Sequence, residues 1–192
     1  MKYLLLFSLI LSACASPTPV PSGGLLYLED FSQSDSGWDI EDTSEKQVGY
    51  ENSQYRIVVK EANFNVWAGR TDSYSDVRVD VDAANNGGTE DNSFGIICRF
   101  DEQATKPNLY FFIVSTDGYY AIGKVKEGSD QLLSSNAMEY SEAVRRHGES
   151  NHVRAECNGS TLTLLANDSQ LAQVTDDDFS SGSVGLIAGT FD

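Results

Sequence analysis

Three kinds of side chain in this 192-residue chain could do chemistry: grouped carboxylates, cysteine or histidine, and aromatic rings set beside hydrogen-bond donors. Acid–base cleavage of a glycosidic bond needs two carboxylates at a fixed separation across one cleft. Asp76, Asp80 and Asp82 share a face of the extended stretch SDVRVDVDA, but Arg78 stands among them and no aromatic neighbour accompanies them. That pattern reads as a solvated outer face. The string Glu41-Asp42-Thr43-Ser44-Glu45 lacks alternation and lies in turn-like sequence. His147 falls in a loop and His152 opens a strand, and no nucleophile motif flanks either. Gly182, Gly185 and Gly189 belong to a turn and a strand, so no glycine loop is left to cradle phosphate.

Sugar binding asks for aromatic faces and polar side chains on one surface. Trp67, Tyr110, Phe112, Tyr119 and Tyr120 supply rings, and Arg99 and Lys124 supply donors. With Phe94, Ile96, Cys98 and Phe100 on the core side of their strand, Arg99 is expected to point away, onto a sheet face or rim. Tyr119 and Tyr120 are adjacent, so one faces inward and the other outward. The outward tyrosine near Arg99 is the leading binding-site candidate. Calcium needs several oxygen ligands on a loop. Asp176, Asp177 and Asp178 form one acidic loop and Glu29 with Asp30 ends an early segment, though neither has a known loop spacing.

The elements that must position these groups are strands. From Asn151 to Gly189 the chain reads as four successive strands. Val153, Ala155 and Cys157 alternate with His152, Arg154 and Glu156, then Asn158-Gly159 turns. Thr161 to Leu164 returns, Asn167-Asp168 turns again, Gln170 to Val174 follows, and Val184 to Gly189 makes the fourth. Earlier strands are expected at Leu25 to Phe31, at Gly49 to Lys60 as a hairpin turning at Asn52-Ser53, at Asn65 to Ala68, and at Ser75 to Ala83. Ser93 to Phe100, Leu109 to Ser115 and Tyr119 to Lys126 continue the series, the last two joined at Asp117-Gly118. Gln131 to Leu133 and Met138 to Val144 are read as extended. Trp38 is expected to close the core near one end. No stretch sustains a helical apolar period, and short strands at this spacing describe an antiparallel β-sandwich.

The N-terminus reads as an export signal at residues 1–13: Lys2, an apolar run from Tyr3 to Leu11, then Leu11-Ser12-Ala13-Cys14. The run is too short for a stable bilayer span. Its ending resembles the bacterial lipobox, whose cysteine is acylated; the alternative is an ordinary signal cleaved near Ala13 or Ala15. Residues 14–24 then comprise the lipidated Cys14 and a Pro-, Ser- and Gly-rich tether, leaving residues 25–192 as one domain. The formal net charge is −16. Such acidity excludes nucleic acid as a natural partner and makes electrostatic attachment to anionic lipid a poor prospect. Attachment to the bilayer would rest on acyl chains at Cys14. Cys98 and Cys157 both lie on apolar strand phases, and in an oxidising compartment they pair as a disulfide or stay as two buried thiols.

The segments FGIICRF, YFFIVSTDGYY, NHVRAECNGSTLTLL and DDFSSGSVGLIAGTFD resemble those of exported bacterial lipoproteins bearing a concanavalin A-like lectin/glucanase (laminin G-like) jelly roll. The likeness covers about 25–192 and is clearest from Ser75 onward. It implies two curved antiparallel sheets, one of them concave. In relatives of this kind one more strand follows the SVGLIAGTFD segment, so the chain is expected to be truncated at Asp192 or to leave a sheet edge unpaired. In the family-16 glucanase branch the catalytic carboxylates sit as Glu-x-Asp-x-x-Glu on one strand, and no such string occurs here. Three roles remain open to such a sequence: a lipid-anchored extracytoplasmic module of the cell envelope that binds carbohydrate or an envelope ligand, an enzyme of the 3-keto-disaccharide hydrolase type, or a structural and protein-interaction module.

Overall fold

Residues 24–191 are described by the computed structural model. The expected export signal, Cys14 and nearly all of the expected tether lie outside the described residues. Two tightly alternating segments set the architecture. β5 (Val77–Ala83) and β11 (Asn151–Asn158) pair antiparallel, with Val77, Val79 and Val81 opposite Cys157, Ala155 and Val153. Their apolar side chains turn inward. On the other side Asp80 accepts from Arg78 and Arg154, and Asp82 meets His152. Burial raises the Asp80 carboxyl, but the hydrogen bonds from Arg78 and Arg154 outweigh it and hold it at about 2. The acidic face of β5 is thus a salt-bridged outer surface, as its pattern predicts.

β12 (Thr161–Ala166) and β13 (Ser169–Thr175) complete a four-stranded sheet in the order β13-β12-β11-β5. The turn after β11 sits one residue later than expected. Asn158 pairs with Thr161, so Gly159 and Ser160 make the bend, fixed by the Gly159 N–H donating to Asp76 at 2.8 Å. Asn167 and Asp168 turn as predicted, with φ of 50° and 66°.

The facing sheet holds β4 (Asn65–Tyr74), β6 (Ser93–Phe100), β7 (Leu109–Ser115), β8 (Tyr119–Lys126), β10 (Glu139–Tyr140) and β14 (Gly182–Gly189). Its order is β10-β8-β7-β6-β14-β4, with β9 (Ser129–Leu132) also paired to β8. β14 is therefore not the fourth strand of a meander. After β13 the chain crosses to the other layer and inserts between β6 and β4. Met138 to Val144 is extended only at Glu139–Tyr140, and the strand expected at Asn65 to Ala68 runs on to Tyr74. A third, small sheet of β1 (Glu41–Asp42), β2 (Lys46–Glu51) and β3 (Gln54–Val59) turns at Asn52 and Ser53, as read from sequence.

Side chains from the two main sheets fill one core: Phe94, Ile96, Tyr110, Phe112 and Ile122 from the large sheet meet Val153, Leu162 and Leu164 from the smaller one. Cys98 and Cys157 are joined within it by a disulfide. Val48 of the small sheet packs on Val66 and Ala68 of β4, extending the cover over the same inner face.

Two expectations fail at the start of the domain. Leu25 to Phe31 forms no strand, because no described segment offers it a ladder to join; Leu25, Leu26 and Leu28 are exposed. Trp38 does not close the main core. It packs on Phe31 and Tyr55 in a separate aromatic group beside the small sheet.

The disulfide spans a sequence separation of 59 residues. Loop-closure entropy makes its contribution about 4 kcal/mol. A double Cys98→Ser, Cys157→Ser variant should lose roughly that much in urea unfolding, and reductant should move the parent midpoint but not the variant's. Equal midpoints for parent and variant would refute the assignment.

Candidate functional site

Five of the residues singled out from the sequence converge at one end of the sandwich, and they do so as a buried polar knot. Arg99 is only 2% exposed. Its Nε and Nη2 donate to the Ser75 carbonyl, Nη1 to that of Phe179 at 2.7 Å and Nη2 to that of Gly159 at 2.7 Å. The expectation that it points away from the core is overturned. A bulge shifts the register of β14 against β6 between Ser183 and Gly185, and Arg99 takes a φ of 53°. That extra residue breaks the alternation and rotates Arg99 inward. Only glycine fits beside the bulge at position 182, where a Cβ would come within 2.4 Å of the Arg99 backbone.

Tyr110 is fully buried and donates to Asp176 at 2.6 Å while accepting from the Phe179 N–H. Burial and the Asp176 contact push its hydroxyl up to about 12. Lys124 reaches Asp176 and Asp178, each at 2.5 Å, and Lys126 adds a contact to Asp178 at 2.7 Å. Burial lowers the Lys124 ammonium, and the Asp176 and Asp178 contacts outweigh it and raise it. Burial likewise raises Asp176, and its bonds from Lys124 and Tyr110 override that and lower it. In the acidic loop proposed for calcium, the Lys124 ammonium thus meets the Asp176 and Asp178 carboxylates directly. Among the described residues no group of three or more His, Cys, Asp or Glu is placed to hold a metal ion. The knot anchors the β13–β14 loop to the sheet, and it leaves Arg99, Tyr110 and Lys124 little surface to offer a ligand.

The face of the large sheet turned away from the sandwich is apolar. Ile97, Phe111, Ile113 and Ile187 form a second buried cluster, with Trp67 and Phe100 packed along it. β6, β7, β8 and β14 contain no Asp or Glu at all. A pair of carboxylates facing one another across these central strands is therefore not built here. Glu41 and Asp42, in the acidic string 41–45 also considered for hydrolysis, lie on the small sheet and pair with Lys46 and Lys60.

At one end of that apolar face the sheet becomes polar and open. Tyr119 begins β8 and stands opposite Tyr140 of β10. The rings are 5.7 Å apart and nearly perpendicular, with 40% and 47% of each residue exposed. Tyr119 is thus the outward member of the adjacent pair, and Tyr120 turns its half-buried ring toward the core. Its partners differ from those expected, since Arg99 lies in the knot. The cation beside Tyr119 and Tyr140 is Arg146, 6.0 Å from the Tyr140 ring centre.

Local backbone holds this cluster together. Gly118 turns β7 into β8 with φ of 101°, and a Cβ there would collide with the Tyr140 ring at 2.7 Å. Ser141 donates to the Gly118 carbonyl and His147 to that of Thr116, docking the following loop onto the turn. Buried Asn151 receives the Arg145 N–H at 2.8 Å and donates back to the Arg145 carbonyl. Tyr140 and Arg146 were not anticipated. They fall where the sequence shows neither period, and the only signal was a tyrosine and two arginines near a strand end.

Comparison with solved structures defines the class: the fold is a concanavalin A-like jelly roll. The chain is similar to the carbohydrate-binding module CBM66 from Bacillus subtilis at 17% identity and a TM-score of 0.63, covering 80% of this chain and 92% of that one. It is similar to a Bacillus subtilis protein of unknown function with a galectin-like fold at 10% identity and a TM-score of 0.65, covering 87% and 90%. A Bacillus licheniformis β-glucanase matches at 7% identity and a TM-score of 0.51, covering 85% and 89%. No family model matches the sequence, and no curated protein matches it.

The knot has a pH signature. Because Asp176 is depressed in the folded state, its contribution is present above the ordinary carboxyl value and is lost as pH falls through the folded one. Because Lys124 is raised, its contribution is present below the ordinary lysine value and is lost as pH rises through the folded one. Lys124→Met should cost roughly 2–4 kcal/mol at neutral pH by stranding Asp176. That deficit should shrink below about pH 4. Denaturant melts of both proteins from pH 3 to 8 check this; a deficit independent of pH contradicts the ion pairing.

Proposed function

We propose that the domain is a non-catalytic carbohydrate-binding module, held outside the cell at the envelope by lipid on Cys14. One observation carries the binding reading: Tyr119 and Tyr140 stand exposed as a packed pair beside a guanidinium. Rings presented this way stack on the apolar faces of sugars, and neighbouring polar groups bond the hydroxyls. The jelly roll shared with a module named for carbohydrate binding supports the same role. The β-glucanase neighbour keeps an enzymatic reading in view, but the carboxylate-free central strands speak against hydrolysis on that face. A protein-interaction role gains nothing from the apolar outer face, because its cluster of Ile97, Phe111, Ile113 and Ile187 is itself buried.

Glycan-array screening followed by calorimetry tests the binding site. Tyr119→Ala and Tyr140→Ala should each weaken the best ligand about tenfold, which is close to 1.4 kcal/mol, with unchanged melting temperature. Full affinity in both variants would place the ligand elsewhere, and silence on every glycan would leave the interaction role in front.

The anchor is tested separately. Expressed in a bacterium fed radiolabelled palmitate, the full chain should incorporate label and partition with membranes. Cys14→Ser should do neither, and label retained in that variant would remove lipidation at Cys14.

A further inference from the structure

We infer that the ligand of the Tyr119–Tyr140 platform is an acidic saccharide, a glycan carrying a uronic-acid carboxylate that Arg146 receives. This rests on the carbohydrate-binding reading and narrows it to a class of sugar.

The argument comes from how the chain uses its few cations. It has 13 Lys and Arg against 29 Asp and Glu. With so large an excess of acid, a basic side chain ordinarily finds a carboxylate partner. Lys46, Arg56, Lys60, Arg70, Arg78 and Arg154 do so on the surface. Lys124 and Lys126 do so in the knot. Arg146 does not. Among the described residues no carboxylate lies within ion-pair distance of it, although Glu142 and Glu149 are on its own loop and Asp117 is on the turn beneath it.

Those acids are directed elsewhere or stand clear. Asp117 accepts from the Ser115 hydroxyl. Glu90, across the same turn, is taken by His147 at 2.9 Å. Glu139 interacts with Tyr120 on the other side of the sheet. Neighbouring Arg145 donates to the Ser150 carbonyl. What remains is a guanidinium with free donors, its stem against the Gly118 turn and its head beside an exposed tyrosine.

A planar guanidinium takes a carboxylate through two parallel bonds, so an acidic sugar ring lying on the tyrosines would complete it. The rest of the molecule limits how much acid the ligand carries. At physiological salt a charge is screened over about 8 Å, so one carboxylate at Arg146 feels mainly its own neighbourhood. A polymer acidic at every residue would also run against the remaining acidic surface. The fitting ligand is therefore a mainly neutral glycan bearing sparse uronic acids.

The test is a microarray of oligosaccharides each carrying one uronic acid, printed beside their carboxyl-reduced, neutral counterparts and probed with the full chain. The expected result is binding at least about tenfold stronger to an acidic member than to its reduced partner. Arg146→Gln should abolish that preference and Arg146→Lys should restore part of it, both with unchanged melting temperature. Equal binding to both forms, lost on Tyr119→Ala, would overturn the acidic class and keep the carbohydrate-binding reading. A preference that survives Arg146→Gln would overturn the role of Arg146. Silence on every acidic and neutral spot would overturn both readings together.

Discussion

A guanidinium buried almost completely must find acceptors for its N–H groups, and Arg99 finds them in three carbonyls from three separate turns. Ser75 begins the connection from β4 to β5, Gly159 belongs to the β11–β12 hairpin, and Phe179 lies in the crossing from β13 to β14. Each crosses or closes a layer of the sandwich. Hydrogen bonds to a charged donor are stronger than neutral ones, and leaving such a donor without acceptors is costly. Arg99 directly follows Cys98, whose disulfide reaches Cys157 of β11, so the bulge and the covalent link lie side by side. Together with Lys124 and Tyr110, which hold Asp176, these bonds fix one end of both sheets. Donors spent in this way are not offered to a ligand.

The opposite consequence appears on the outer face of the large sheet. Apart from Arg99 at the end of β6, β6 and β7 are apolar on both phases, as FGIICRF and LYFFIVS already display, so neither face of the middle of this sheet carries a carboxylate. Acid–base chemistry across the middle of such a sheet would need carboxylates that the strands do not contain. The exposed aromatic and basic groups lie instead at the sheet end, where Gly118 reverses the chain and the short β10 brings Tyr140 against Tyr119. The proposed binding surface is therefore an outcome of the same packing that makes the core.

How far the sequence could be read follows from this division. Strict alternation at Val77 to Val81 and Val153 to Cys157 announced a sheet with one wet face, and Asn52-Ser53, Asn167-Asp168 and Asp117-Gly118 announced their turns through residues that tolerate positive φ. Alternation also gave the right phase for both disulfide cysteines. It misplaced Arg99 because a bulge leaves no mark in a single sequence beyond a glycine on the partner strand. It misassigned β14 because an apolar strand looks alike in either layer, and only the length and pinning of the preceding loop decide where it goes. Leu25 to Phe31 has strand-like composition, but a strand exists only where a neighbour supplies the ladder. Tyr140 and Arg146 escaped notice because their meeting depends on Asn151 and Gly118 folding a non-periodic loop onto a turn.

That loop bears on why a strongly acidic domain could hold an anion at all. Net charge governs approach over distances beyond the screening length, while contact energies answer to the groups within a few ångströms. Asp80 shows the local rule in reverse: amid many acids, two arginines suffice to keep its carboxyl ionised down to about 2. Arg146 is the same guanidinium without the carboxylate, and its neighbours are either bonded to other partners or outside pairing distance. The surrounding acidity then works as a filter on charge density, repelling densely acidic polymers and leaving isolated acidic residues free to dock. The proposed specificity would come from an unpaired cation beside an aromatic pair, set against a repulsive field, which penalises the wrong ligand as well as rewarding the right one.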